Sequence, residues 1–334
     1  MSADLIIKEL PDLNLVRLAD ELDKVAPKSV QTRNQDMRVN VRAGEVQVAS
    51  TVSVPFTGDT IRAFASWFDI PSKFLERADP EAQQFLLEHY LRRRPGDATV
   101  MYRDDTGIEI IREPGIKYID PRRLVEIASR VIDTNAQVVE FWNTPDEFRL
   151  DVITPENFDR GIGGDFKVGD LTRGGIRIGQ NVKMNHAPWV SEFLFRLACT
   201  NGMEIRDESS KVDARGATVE EVLAEFEIIA DRAFRRVEDS IASFYELREQ
   251  RVDNPERVIN RIGHEQHISP RMRQRLVEIA PVIEPTMFDI INLITNQAND
   301  PSLKPGPRRS LQLAGGNIVT EHAARCSHCQ ARLN

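Results

Sequence analysis

Cysteine is scarce in this chain. There are three in 334 residues, an odd number with two crowded near one end, so no disulfide framework is encoded. Aromatic side chains are also few, at 7%, which leaves little material for base-stacking platforms. No apolar run reaches the roughly 18 residues that a membrane-spanning helix needs. The opening segment MSADLIIKELPDLN has no basic region ahead of an apolar core, so a signal peptide is not expected. An excess of positive charge is missing as well: the net charge is −8, which argues against a surface coated in cations for indiscriminate nucleic-acid binding. A local basic groove stays open, because counterion release depends on the cations that touch phosphate and not on their sum. Together these absences predict a cytoplasmic protein with no membrane partner.

What is present fits a globular chain, long enough for one large domain or two smaller ones. Residues 13–25, LNLVRLADELDKV, place Leu15, Leu18 and Leu22 at helical spacing. MRVNVRAGEVQVASTVSV reads as a hairpin: Val39 and Val41 alternate with polar neighbours, Gly44 takes the turn, and Val46, Val48 and Val52 resume the period of two. Residues 57–92 turn helical, and the last helical segment, PEAQQFLLEHYLRRR, closes with Arg92, Arg93 and Arg94. Such a cluster reads as a solvated helix end on the negative pole of the dipole, or more sharply as a phosphate contact. The strands DATVMYRDD and GIEIIREP follow, then a helix capped by Asp120 with Pro121 in its first turn, then a strand pair across Asn143–Asp146. Helices alternating with hairpins predict an α+β fold: an antiparallel sheet with flanking helices, then a mostly helical C-terminal region.

The stretch from Gly169 to Met203 is the centre of the sequence. Ile176 and Ile178 alternate with Arg177 after the pair Gly174-Gly175. WVSEFLFRLACT fits a helix or a strand, and Asn201-Gly202, a favoured two-residue hairpin turn, decides for the strand. Cys199 on that strand is most simply a buried apolar residue. Lys167, Arg173, Arg177 and Lys183 lie on or beside these strands with glycines between them. Glycine admits close approach of a ligand, and amides beside arginine can hold phosphate. The plainer reading is an exposed sheet face with glycines at bulges.

From Thr218 to Arg248 apolar residues step by three and four (Val222, Phe226, Ile229, Ala233, Val237, Ile241, Phe244), which predicts one long helix. Shorter helices follow, then a linker PSLKPGPRRS and a last short helix. The expected segments are 1–54, a helix and hairpin; 55–215, the α+β core; 216–316, a helical region; and 317–334, a tail. In that tail His322, Cys326 and Cys329 have the residue types of a zinc site with one C-x2-C knuckle; the alternative is a tail with two reduced thiols. Glu140, Asp146 and Asp151 invite comparison with a metal-dependent nuclease, but charges at strand edges explain them better. His264 and His267 stand three apart where the zincin pattern needs four, and read as a solvated helix start. No nucleophile elbow and no Ser-His-Asp arrangement stands out, so no catalytic residue is assigned.

Several blocks, in order, resemble the phage/plasmid-like proteins grouped as domain-of-unknown-function family 932. They are FTGDTIRAFASWFDIPSKFLERADPEA, EIIREPGIKYIDPRRLVEIA, RGGIRIGQNVKMN with FLFRLACTNGM, and MFDIINLITNQAND with RRSLQLAGG. The strand ending in Cys-Thr-Asn-Gly is the specific part; Gln180-Asn181 stands where that signature usually has Asn-Ser. The resemblance implies a protein of a phage or other mobile element acting in a bacterial host cell. That context, with an antiparallel sheet beside helices and the basic hairpin at 167–183, leads to the expectation of a non-enzymatic role in DNA metabolism: binding, and possible annealing, of single-stranded DNA. On that reading Lys167, Arg173, Arg177, Lys183, Arg92 and Arg93 contact phosphate while Trp189 and Phe193 stack on bases. An alternative is an assembly or counter-defence factor that self-associates, as a homo-oligomer, through the long helix 218–248.

Overall fold

The computed structural model describes residues 5–8, 14–24, 26–114, 119–133, 136–144, 147–154, 172–181, 187–196, 201–205, 212, 217–280, 284–303 and 305–325. In chain order, β1 (Leu5–Lys8) and α1 (Leu15–Lys24) come first, then β2 (Lys28–Arg33), β3 (Arg38–Asn40), β4 (Glu45–Ala49) and β5 (Val52–Pro55). Three helices follow, α2 (Gly58–Trp67), α3 (Ser72–Arg77) and α4 (Pro80–Arg93), and then β6 (Asp97–Arg103) and β7 (Gly107–Arg112). Next are α5 (Pro121–Val131), β8 (Gln137–Asn143), β9 (Glu147–Ile153), β10 (Thr172–Asn181), β11 (Trp189–Arg196) and β12 (Asn201–Ile205). The chain continues as α6 (Val219–Arg235), α7 (Val237–Glu246), α8 (Pro255–Glu265), α9 (Pro270–Glu278), α10 (Met287–Gln297) and α11 (Pro305–Arg325).

The fold is α+β. Its strands form antiparallel sheets in the orders β1-β8-β9-β10-β11-β12, β2-β6-β7 and β3-β4-β5. Local chemistry explains many of the ends. Gly44 supplies the positive φ, +69°, of the turn between β3 and β4. Asp120 accepts from the Arg122 amide and Pro121 begins α5. Thr218 and Glu221 make a reciprocal capping box at the start of α6, as do Thr286 and Asp289 at α10.

Three apolar cores organise these elements. One holds Val39, Val46, Val48, Phe64, Leu87 and Val100 and is built from residues 28–112. A second lies between α1, α5 and α6 and one face of the six-stranded sheet, where Leu150, Val152, Ile176 and Ile178 meet Leu18, Leu124 and Phe226. The third joins the β11–β12 end of the same sheet to α7, α8, α10 and α11. These cores do not coincide with the expected segment boundaries: α1 packs with the large sheet, and α6 belongs to the sheet rather than to the later helices.

Four expectations are corrected here. The single long helix is two, broken at Arg236, because its apolar seam serves two cores: Phe226 and Ile229 face one, Ile241 and Phe244 the other. Ile229 and Val237, two steps of that apolar stripe, are both buried. Asn201 and Gly202 are not the turn; they pair with Arg196 and Phe195 inside β12, and the connection at 197–200 lies outside the described residues. The expected linker at 301–310 is helical from Pro305, where proline suits a first turn. His264 sits in the last turn of α8 and His267 beyond it, at a helix end and not a start.

Candidate nucleic-acid interface

Strand alternation gives the six-stranded sheet one apolar and one charged face. The register sets Glu140 on β8 opposite Asp151 on β9, Asp151 opposite Arg177 on β10, Arg177 opposite Ser191 on β11, and Phe193 opposite Glu204 on β12. The charged face is not open to water. Arg177 is 0% exposed, Asp151 1% and Glu204 0%.

A single guanidinium organises this face. Arg177 Nε and Nη2 donate to Asp151 at 2.6 and 2.5 Å, while Nη1 donates to Glu204 and to Gln312 Oε1, both at 2.8 Å. Helix α11 closes the lattice from above. Arg309 meets Glu204 through two contacts of 3.0 Å and lies 4.0 Å above the Trp189 ring, and Arg308 reaches Glu140 at 3.0 Å. Arg149 also pairs with Glu140. Burial by itself would drive the Arg177 proton off, but the charge and hydrogen bonds of Asp151, then of Glu204, push its pKa up instead. Burial likewise works to raise Glu140; Arg149, a hydrogen bond from Trp142, and then Arg177 and Arg308 outweigh it and hold the carboxyl below its ordinary value.

The close seat of α11 depends on a missing side chain. A Cβ on Gly316 would stand 1.9 Å from the Glu204 carbonyl oxygen. The glycines of β10 serve packing in the same way: a Cβ on Gly179 would collide with the Trp189 ring at 2.0 Å.

This geometry revises the sequence-derived interface. Arg177 was expected on an exposed sheet face; it is sealed inside, its donors taken by carboxylates and an amide. Phe193, expected to stack on bases, is 1% exposed and packs under Arg177 at 4.8 Å. Trp189 is half-buried beneath Arg309, and Arg173 is half-buried with Nη1 3.2 Å from Gln137. Lys167 and Lys183 lie outside the described residues. His322 stands on α11, 3.5 Å from Glu246, while Cys326 and Cys329 are outside the described residues. Among the described residues, no group of three His, Cys, Asp or Glu side chains is arranged to hold a metal ion. Glu140 and Asp151 are matched to arginines, and Asp146 is not described.

The remaining expected cations stand elsewhere and are exposed. Helix α4 begins at the Asp79 cap and buries Gln83, Leu87 and Leu91 at helical spacing. Its last turn carries Arg92 and Arg93 into solvent, while Arg94 folds back over the Trp67 ring at 3.9 Å. Arg92 is 3.6 Å from Glu88, one turn earlier. Among the described residues Arg93 has no ion pair, nor do Lys73 and Arg77 on α3, and all three are exposed. Lys73 and Arg77 were missed because the short α3 offers no periodicity to mark its outer side. No family model, no curated protein and no solved structure matches the chain.

Proposed function

We propose that this protein is a non-enzymatic binder of single-stranded DNA, serving the DNA metabolism of a phage or other mobile element. The observation that carries this reading is the set of exposed cations on two consecutive helices, Lys73 and Arg77 on α3 and Arg92 and Arg93 in the last turn of α4, in a chain whose net charge is −8. A few exposed cations on an acidic molecule give phosphate contact without indiscriminate adhesion. The buried lattice takes the part of a scaffold, and contact with phosphate moves from the sheet to the helices.

The test is fluorescence anisotropy of a labelled single-stranded oligonucleotide across a salt series. Each phosphate contact contributes about 0.7 to the slope of log K against log salt for a single strand. The paired change Arg92→Ala with Arg93→Ala should therefore flatten that slope by about 1.4 and weaken binding at low salt. An unchanged affinity and slope would remove the basis of the proposal. Arg177→Ala is unsuitable for this purpose, since it disturbs the core.

A further inference from the structure

Two phenylalanines on the same pair of helices face water. Phe74 on α3 is 57% exposed and Phe85 on α4 is 64% exposed. Neither belongs to the stripe that its helix buries: Leu75 is the buried residue of α3, and at 100° per residue Phe85 points away from Leu87. His89, one turn on, stacks against Phe85 with ring centroids 6.0 Å apart and planes 26° from parallel, which extends the flat apolar surface. Arg93 continues that stripe by another turn. The Gln83 side-chain amide donates to the Leu75 carbonyl at 2.8 Å and ties α3 to α4.

Charge decides what such a surface fits. The nearby carboxylates are mostly engaged: Asp79 caps α4, Glu81 pairs with Arg42, and Glu88 pairs with Arg92. Lys73, Arg77 and Arg93 have no ion pair among the described residues, and against them stands one exposed carboxylate without an ion pair, Glu76 on α3, so unpaired positive charge is in excess on these two helices. An apolar protein segment would gain nothing from those three cations. A chain of phosphates carrying unpaired bases uses both features, one flat face for each base and one cation for each phosphate.

We infer that the outer side of α3 and α4 is a base-stacking site for single-stranded nucleic acid. Phe74 and Phe85, the latter extended by His89, are its platforms, and Lys73, Arg77 and Arg93 are its phosphate contacts. This rests on the proposed function and adds the means by which a single strand is told from a duplex, whose bases are already stacked on each other.

The experiment uses the full chain with Phe74→Ala, Phe85→Ala and Phe85→Trp, each checked for fold by circular dichroism, against single-stranded and duplex oligonucleotides. Stacking loss predicts about a 10-fold drop in single-strand affinity for each alanine change, with the salt slope and duplex binding unchanged. Phe85→Trp should keep the affinity, and its fluorescence should be quenched by the single strand. If the unmodified protein binds single strands with a salt slope and both alanine variants bind equally well, the stacking site is refuted while the proposed function stands. If the unmodified protein binds no single strand at low salt, both fall. If the alanine changes instead abolish a concentration-dependent rise in light scattering and leave DNA affinity intact, the surface joins copies of this chain and the inference is overturned.

Discussion

Replacing Arg177 by methionine keeps most of the side-chain volume and removes the charge at the centre of the buried lattice. The consequences differ for its two carboxylate partners. Glu204 retains Arg309 through two contacts of 3.0 Å. Asp151 loses both strong contacts and, among the described residues, keeps Arg149 at 3.9 Å, in a position 1% exposed. Stranding one partner of a buried pair costs about 3–5 kcal/mol. With an unfolding entropy of about 2.1 cal/mol/K per residue, a chain of this length should then melt about 4–7 °C lower. Adding Asp151→Asn removes the stranded charge and should return about 1–3 kcal/mol, or about 1–4 °C. Scanning calorimetry of the two variants at pH 7 measures this, and because the groups are buried the shifts should persist between low and high salt. A melting temperature within 1 °C of the parent for Arg177→Met, or a double variant less stable than the single one, would refute the reasoning.

Two further outcomes follow from the same face. Gly316→Ala places a methyl group against the Glu204 backbone oxygen, so α11 must lift; a loss of about 1–3 kcal/mol by calorimetry is expected, and an unchanged melting temperature would mean that helix and strand do not lie so close. Glu140 has a folded pKa below its unfolded value, so its contribution is present above about pH 4.5 and is lost as pH falls through the lower folded value. In a pH series of melting temperatures Glu140→Gln should be less stable than the parent at neutral pH and should show a shallower acid decline.

Much of the framework was legible in the sequence because it is local. The Asp120-Pro121 helix start, the Gly44 turn and the alternation around Arg177 need only neighbouring residues to be recognised. What the sequence withheld is long-range. Alternation shows that Arg177 and Ile176 face opposite sides, yet nothing nearby says that both sides are covered; the covering residues, Arg309 and Gln312, arrive more than 130 positions later. The break at Arg236 was hidden for a related reason. The apolar steps run on through it without glycine or proline, and only the presence of two cores makes the helix turn. Asn201-Gly202 misled because a favoured turn pair gave way to the pairing of β11 with β12. On the surface, Arg92 and Arg93 could be read at the end of a long helix, whereas Phe85 could not be told from a core residue until Leu87 and Leu91 were seen to occupy the buried side.

The lattice on the sheet also has a direction in time. Glu204 leaves the ribosome 105 residues before Arg309, and at 5–20 residues per second that gap lasts about 5–20 s. Throughout it the nascent sheet carries carboxylates whose later partners have not been made, and sealing them from water would be costly. The growing chain thus has reason to keep that face wet, and the arrival of α11 turns an open hydrated surface into a dry one. Completion of the sheet is thereby tied to translation of its last helix.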